Sequence, residues 1–158
     1  MEKPQAKLVS ASVVSNYFKE IFPSDLNALN TVFGGAVLAT ADKVAGFVAM
    51  THSQENCVTL GMDSVRFLAP ARQGETLIYK ASMNKAWGTS MEVGVKVFSR
   101  NMKTSLDQHI FSAYFTFVAV DADNKRVPVP SVIPETHDEK RRYQEAETRR
   151  TERLAKNK

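Results

Sequence analysis

The chain has 158 residues, 43% hydrophobic and 24% charged, the profile of one soluble globular domain able to bury a core without disulfide or metal. Its net charge of +4, with a pI near 9.2, admits nucleic acid, a membrane surface or an anionic small ligand as partner. One cysteine, Cys57, excludes an internal disulfide and fits a reducing, cytoplasmic setting. The opening Met1-Glu2-Lys3-Pro4-Gln5 lacks a signal-peptide pattern. The most apolar run, 36–50, is too short to span a bilayer and is broken by Asp42-Lys43. The nucleotide-loop, nucleophile-elbow and zinc-helix motifs are absent from the sequence.

In chain order, residues 8–22 are a weak extended segment. From Gly34-Gly35 the alanine-rich run to Met50 predicts a helix of four to five turns, apolar on most sides and therefore buried. Four strands follow, over 57–68, 75–85, 90–100 and 109–121. The third alternates cleanly, with Met91, Val93, Val95 and Val97 on one face and Glu92, Gly94 and Lys96 on the other. The fourth is apolar on both faces, which predicts a central or interface strand and an oligomer. Turns fall at 72–74, 87–89 and 121–124. One helix followed by consecutive long strands gives an α+β fold, an antiparallel sheet wrapped on that helix.

The charge is unevenly spread. Residues 1–134 hold 13 basic and 11 acidic side chains, and residues 135–158 hold 8 and 6. The body, 1–134, and the charged tail, 135–158, are joined by the proline-rich stretch 127–134, which forbids a helix there. The tail predicts one helix, opened by a capping box of Thr136 and Glu139. Asp138/Arg142, Glu145/Arg149 and Glu152/Lys156 are spaced for ion pairs, each adding about 0.2–0.5 kcal/mol. Its few apolar residues leave it little to add to a core. Arg149, Arg150 and Arg153 are candidate phosphate binders.

Asp42 breaks the apolar helix. A buried carboxylate is expensive without a partner, and the adjacent Lys43 points about 100° away, so Asp42 is a candidate functional group. Phe33-Gly34-Gly35 leads directly into the helix, where free backbone N–H groups can hold an oxyanion. Asn27 upstream adds an amide donor.

These residues carry a resemblance. The run from Asn27 through Phe33-Gly34-Gly35-Ala-Val-Leu to Asp42-x-Val-Ala is similar to the signature of the hotdog-fold acyl-CoA thioesterases. Val58-Thr59, Asp63-Ser64-Val65-x-Phe67-x-x-Pro70, Gly74-Glu75 and Gly88-Thr89-Ser90-Met91-x-Val93 match as well. So do residues 115–121 and the stretch from Val127-Pro128-Val129-Pro130 to Arg149-Arg150. The resemblance covers roughly 10–153. Two departures from it are Asn30, where relatives usually have glycine, and Arg66. Asn tolerates positive φ best among ordinary residues, so the turn at Asn30 is expected to survive.

The resemblance implies a hotdog fold, a homodimer paired edge to edge and further assembly into a hexamer. It implies hydrolysis of fatty acyl-CoA, with counterparts of Asn27 and Asp42 meeting across the dimer interface. Asp42 is then the general base, or else a nucleophile forming an anhydride. Asn27 orients the water or the carbonyl, the amides near Gly34 and Gly35 form the oxyanion site, and Thr89 and Ser90 supply hydroxyls near the thioester. Arg149, Arg150 and Arg153 meet the phosphates of CoA, which is substrate rather than cofactor. No metal, nucleic acid or membrane is expected as partner. The alternative is a non-catalytic acyl-CoA-binding or sensing module. His52 is expected to cap the helix C-terminus, Cys57 to be a buried strand residue, and Trp87 to pack on ligand or a neighbouring subunit.

Overall fold

The four alternating runs form long strands and the alanine-rich run a helix, in a computed structural model that describes residues 4–156. The order is β1 (Lys7–Leu8), β2 (Val14–Glu20), α1 (Gly34–Ser53), β3 (Asn56–Phe67), β4 (Glu75–Trp87), β5 (Ser90–Asn101), β6 (Leu106–Val120), β7 (Val132–Ile133) and α2 (His137–Lys156). Residues 1–3, including the start read as free of a leader, and the last two residues of the tail lie outside this description.

β2, β4, β5, β6 and β3 form one antiparallel sheet in that order, and β1 and β7 pair in parallel beside it. The two-residue alternation sets the inner face. Leu77, Tyr79, Ala81 and Met83 of β4, with Met91, Val93, Val95 and Val97 of β5, are at most 2% exposed. They pack on Val37, Ala41, Val44, Ala45, Val48 and Ala49 of α1. Each fully buried valine, leucine or methionine contributes about 1.5–3 kcal/mol. β6, apolar on both faces, is bonded on both sides as expected.

The expectation of a helix buried all round is corrected. One sheet covers one face of α1; on the other, Phe47 is 65% and Met50 40% exposed. The edge strand β3 is likewise open. Two irregularities in its pairing with β6, at Thr59/Gly61 and Asp63/Arg66, swap its faces. Val58, Leu60, Met62, Val65 and Phe67 are each at least 40% exposed. A long apolar edge with unpaired backbone groups is a template for pairing with another strand.

The tail is not a solvated appendage. α2 lies on the outer face of the sheet, with Ala146 fully buried and Tyr143 packed on the core. Its capping box forms: Thr136 Oγ1 accepts from the Glu139 amide, and Glu139 Oε2 accepts from the amides of Glu135 and Thr136. The expected pair ladder is redistributed. Arg141, rather than Arg142, takes Asp138 and Glu145, and Glu145 reaches Arg149 only at 3.9 Å. Among the described residues Glu152 and Lys156 form no pair. α2 is also tied to the sheet by Glu147, which pairs with Lys85 of β4 at 2.7 Å, and by a buried contact across 57 residues of chain, in which Arg149 grips Glu92 of β5 through Nε and Nη2 at 2.7–3.2 Å.

Candidate functional site

Asn27 folds the loop that leads into α1. Its Oδ1 accepts from the amides of Leu29 and Thr31, and its Nδ2 donates to Thr31 Oγ1 at 2.9 Å. Asn30 takes φ 56°, as its residue type predicts, and the turn survives. The loop then delivers Phe33 as N-cap, which offers no side-chain acceptor to the helix start. Ala36 and Val37 bond to the Phe33 carbonyl, while the Gly34 and Gly35 amides find no acceptor among the described residues. A Cβ on Gly35 would lie 2.4 Å from the Phe33 ring, and one on Gly34 3.1 Å from the Phe67 ring. The two glycines thus leave room for two aromatic rings over a helix N-terminus with unspent donors.

Asp42 lies two turns further along α1, half-buried rather than enclosed. Thr59 of β3 donates Oγ1 to Asp42 Oδ1 at 2.8 Å. Eight residues of helix put Asp42 roughly 12 Å from Gly34 along the axis. Within one protomer, therefore, the carboxylate and the free amides do not meet. Asp42 and Thr59 sit against the open β3 edge, and the exposed side of α1 runs beside them. Thr59 has no role assigned by sequence reasoning. The signal was its place in the strand after the helix, on the face that turns toward α1.

Thr89 and Ser90 do not join Asp42. The register Ser90↔Val118↔Val58 places Ser90 two strands from the edge, on the outer face of the sheet. There Thr89, Ser90, Thr116, Arg126, Arg150 and Arg153 line a cavity of about 430 Å³. Arg150 lies over the Trp87 ring at 4.7 Å, and Arg153 reaches Asp63. Thr116 Oγ1 is buried without a partner among the described residues. Of the three arginines expected to bind phosphate, Arg150 and Arg153 line this cavity and Arg149 does not. The Arg149 side chain is 13% exposed, committed to the fully buried Glu92, and stacked at 3.6 Å on Tyr114. Burial is the largest single influence and opposes its charge, but the Glu92 hydrogen bonds together with the nearby charges of Glu92, Tyr114 and Glu145 outweigh it and raise its pKa. Arg126, exposed and held beside Val120 by a backbone bridge, is the third arginine of the lining. Sequence reasoning missed it because the turn at 121–124 hides its return to the sheet.

Trp87 donates Nε1 to Glu147 of its own α2 at 2.8 Å and lines the same cavity beside Arg150. His52 is fully buried in the last turn of α1 and bonds Nε2 to the Pro130 carbonyl at 2.9 Å, instead of capping the helix; burial lowers its pKa. Cys57 is half-buried and its thiol pKa is pushed up by burial, which makes it a poor nucleophile. Among the described residues no cluster of His, Cys, Asp or Glu could hold a metal ion, and no helix is long and apolar enough to cross a membrane.

Comparison with known proteins decides the family. Residues 29–106 match the model of the thioesterase superfamily. The chain is 37% identical to a Bacillus subtilis protein named as an uncharacterized acyl-CoA thioester hydrolase, YkhA, over 88% of this chain and 80% of that one. The chain belongs to the thioesterase superfamily. Solved structures of this superfamily share its hotdog fold: an apo-hexameric acyl-CoA thioesterase superposes with a TM-score of 0.94 at 37% identity, over 98% of both chains. An acyl-CoA hydrolase of Staphylococcus aureus, in complex with butyryl coenzyme A, coenzyme A and coenzyme A disulfide, gives 0.90 at 36% identity over 96% and 92%. Variants of that hydrolase replace an asparagine, an aspartate and a threonine by alanine. They are spaced along that chain as Asn27, Asp42 and Thr59 are along this one.

Proposed function

We propose that this thioesterase-superfamily chain hydrolyses fatty acyl-CoA to fatty acid and CoA, in a site built from two protomers paired at β3. The observation that carries this is the separation of Asp42–Thr59, at the open edge, from the unspent Gly34 and Gly35 amides on the same helix. A two-fold partner brings its own Asn27 loop and helix start to Asp42, and completes the set that a thioester needs. Edge pairing also covers the exposed Val58, Leu60 and Met62. The hexameric assembly of a relative at 37% identity supports further association, into a trimer of dimers.

In this reading Asp42 takes a proton from a water that attacks the thioester carbonyl, and Thr59 is a positioning residue that fixes the carboxylate. The oxyanion that forms is held by the Gly34 and Gly35 amides, and the Asn27 amide of the partner subunit orients the water or the carbonyl. Collapse expels the CoA thiolate, and the proton held by Asp42 passes to it. Arg126, Arg150 and Arg153 on the outer face meet CoA phosphates. Thr89 and Ser90 belong with those arginines and not with the thioester.

The test follows thiol release from a panel of acyl-CoAs. Asp42→Asn is expected to lower kcat by at least about a hundredfold, the usual contribution of a general base, with unchanged mass in solution. Near-wild-type turnover would remove Asp42 from the chemistry. CoA binding without thiol release from any acyl-CoA would favour the sensing module. A single turnover in ¹⁸O-water that labels the Asp42 carboxylate would identify a nucleophile instead of a base.

A further inference from the structure

A second cavity, of about 390 Å³, opens on the outer face of the sheet beside the first turns of α2. It lies at the opposite end of α2 from Arg150 and Arg153. Its floor sets Lys80 of β4 directly opposite Lys96 of β5. Like charges in direct cross-strand register destabilise a sheet, and among the described residues no carboxylate lies within 4 Å of either. Lys80 bonds only neutral acceptors, the Ser15 carbonyl at 3.3 Å and Asn16 Oδ1 at 2.9 Å.

A third cation closes the rim. Arg142 lines the same cavity, and its Nε is buried with no hydrogen-bond acceptor among the described residues. A buried guanidinium N–H without a partner carries an uncompensated desolvation cost. Nearby carboxylates are committed elsewhere: Asp138 and Glu145 to Arg141, Glu139 to the start of α2, and Asp107 to Arg100. Ser82 and Ser112 add hydroxyls to the lining.

We propose that this cavity binds a phosphorylated small molecule, its phosphoryl group seated between Lys80, Lys96 and Arg142, at a site separate from the CoA-phosphate cavity. An anion there pairs three cations that have no carboxylate within 4 Å among the described residues, and it ties the first half of α2 to the sheet.

The test titrates inorganic pyrophosphate into the full-length protein by calorimetry at low ionic strength. A saturable site is expected that Lys96→Ala weakens at least tenfold and Arg150→Ala leaves unchanged, distinct from any binding at the CoA-phosphate cavity, which Arg150→Ala weakens instead. Without anion, Lys96→Ala is expected to melt at or above the wild-type temperature, since it relieves repulsion; with pyrophosphate only the wild type gains. The proposal is overturned if no saturable binding appears, or if Arg150→Ala abolishes it while Lys96→Ala does not. It is also overturned if Lys96→Ala lowers the mass measured by light scattering, which would make the lysine pair a subunit contact.

Discussion

The tether between α2 and the sheet gives the sharpest stability prediction. Glu92 is fully buried, and its Oε1 accepts from Arg149 Nη2 at 2.7 Å and from Asn84 Nδ2 at 3.0 Å. Arg149→Ala leaves that carboxylate with one amide donor and no guanidinium. Removing one partner of a buried pair costs about 3–5 kcal/mol, because the other charge stays desolvated. At roughly 2–4 °C per kcal/mol for a chain of this length, the melting temperature should fall by about 6–20 °C. The double variant Glu92→Leu/Arg149→Met removes both charges and is expected to lie within about 1 kcal/mol of wild type, or above it. Arg153→Ala, which breaks a partly exposed pair with Asp63, should cost about 0–1 kcal/mol. Thermal melts at one fixed protein concentration make the comparison, since an oligomer melts in a concentration-dependent way. A change of less than about 2 °C for Arg149→Ala, or a double variant that merely sums the singles, would refute the clamp.

Three further outcomes are expected. Burial pushes the folded pKa of His52 below the ordinary imidazole value of about 6.5. The unfolded chain then binds the extra proton first, and the stability contributed is complete above that value and lost as pH falls below it. The melting temperature of wild type should therefore drop more steeply below pH ~6.5 than that of His52→Asn; equal slopes would deny His52 the effect. Thr59→Val should lower kcat about tenfold with KM little changed, as expected for one hydrogen bond to a charged group, and Thr59→Ser should restore it. Val58→Lys, on the outer side of the β3 edge, should yield monomers by light scattering and lose thioesterase activity in parallel. An active monomer would contradict a site shared between protomers.

The strands were legible because Met91 to Val97 and Leu77 to Met83 alternate over long runs. The α1 run was legible from its alanines, although it extends from Gly34 to Ser53 rather than over 36–50. Its environment was not legible. Apolar residues all round a helix read the same whether the second face meets its own sheet or another chain, and Phe47 and Met50 face outward. The pair β1 and β7 has two residues per strand and no period to detect. The docking of α2 was hidden for a different reason. Its apolar residues are few, and the attachment rests on polar contacts, Arg149 to Glu92 and Glu147 to Lys85 and Trp87, that no local spacing announces. The same blindness assigned Arg149 to phosphate and left Arg126 unnoticed. At the site, Asn27, Gly34, Gly35 and Asp42 stood out by residue type, whereas Thr59 became visible only when β3 was laid beside α1.

Mixing two inactive variants tests the shared site most directly. Asp42→Asn and Asn27→Ala are unfolded together, refolded at equal amounts and assayed for thiol release from an acyl-CoA. In a mixed dimer one site draws an intact Asn27 from one chain and an intact Asp42 from the other, while the second site is doubly damaged. Random pairing then restores about a quarter of wild-type activity. If Asn27 and Asp42 of the same chain formed the site, every site in the mixture would carry a lesion and activity would stay at the level of the separate variants.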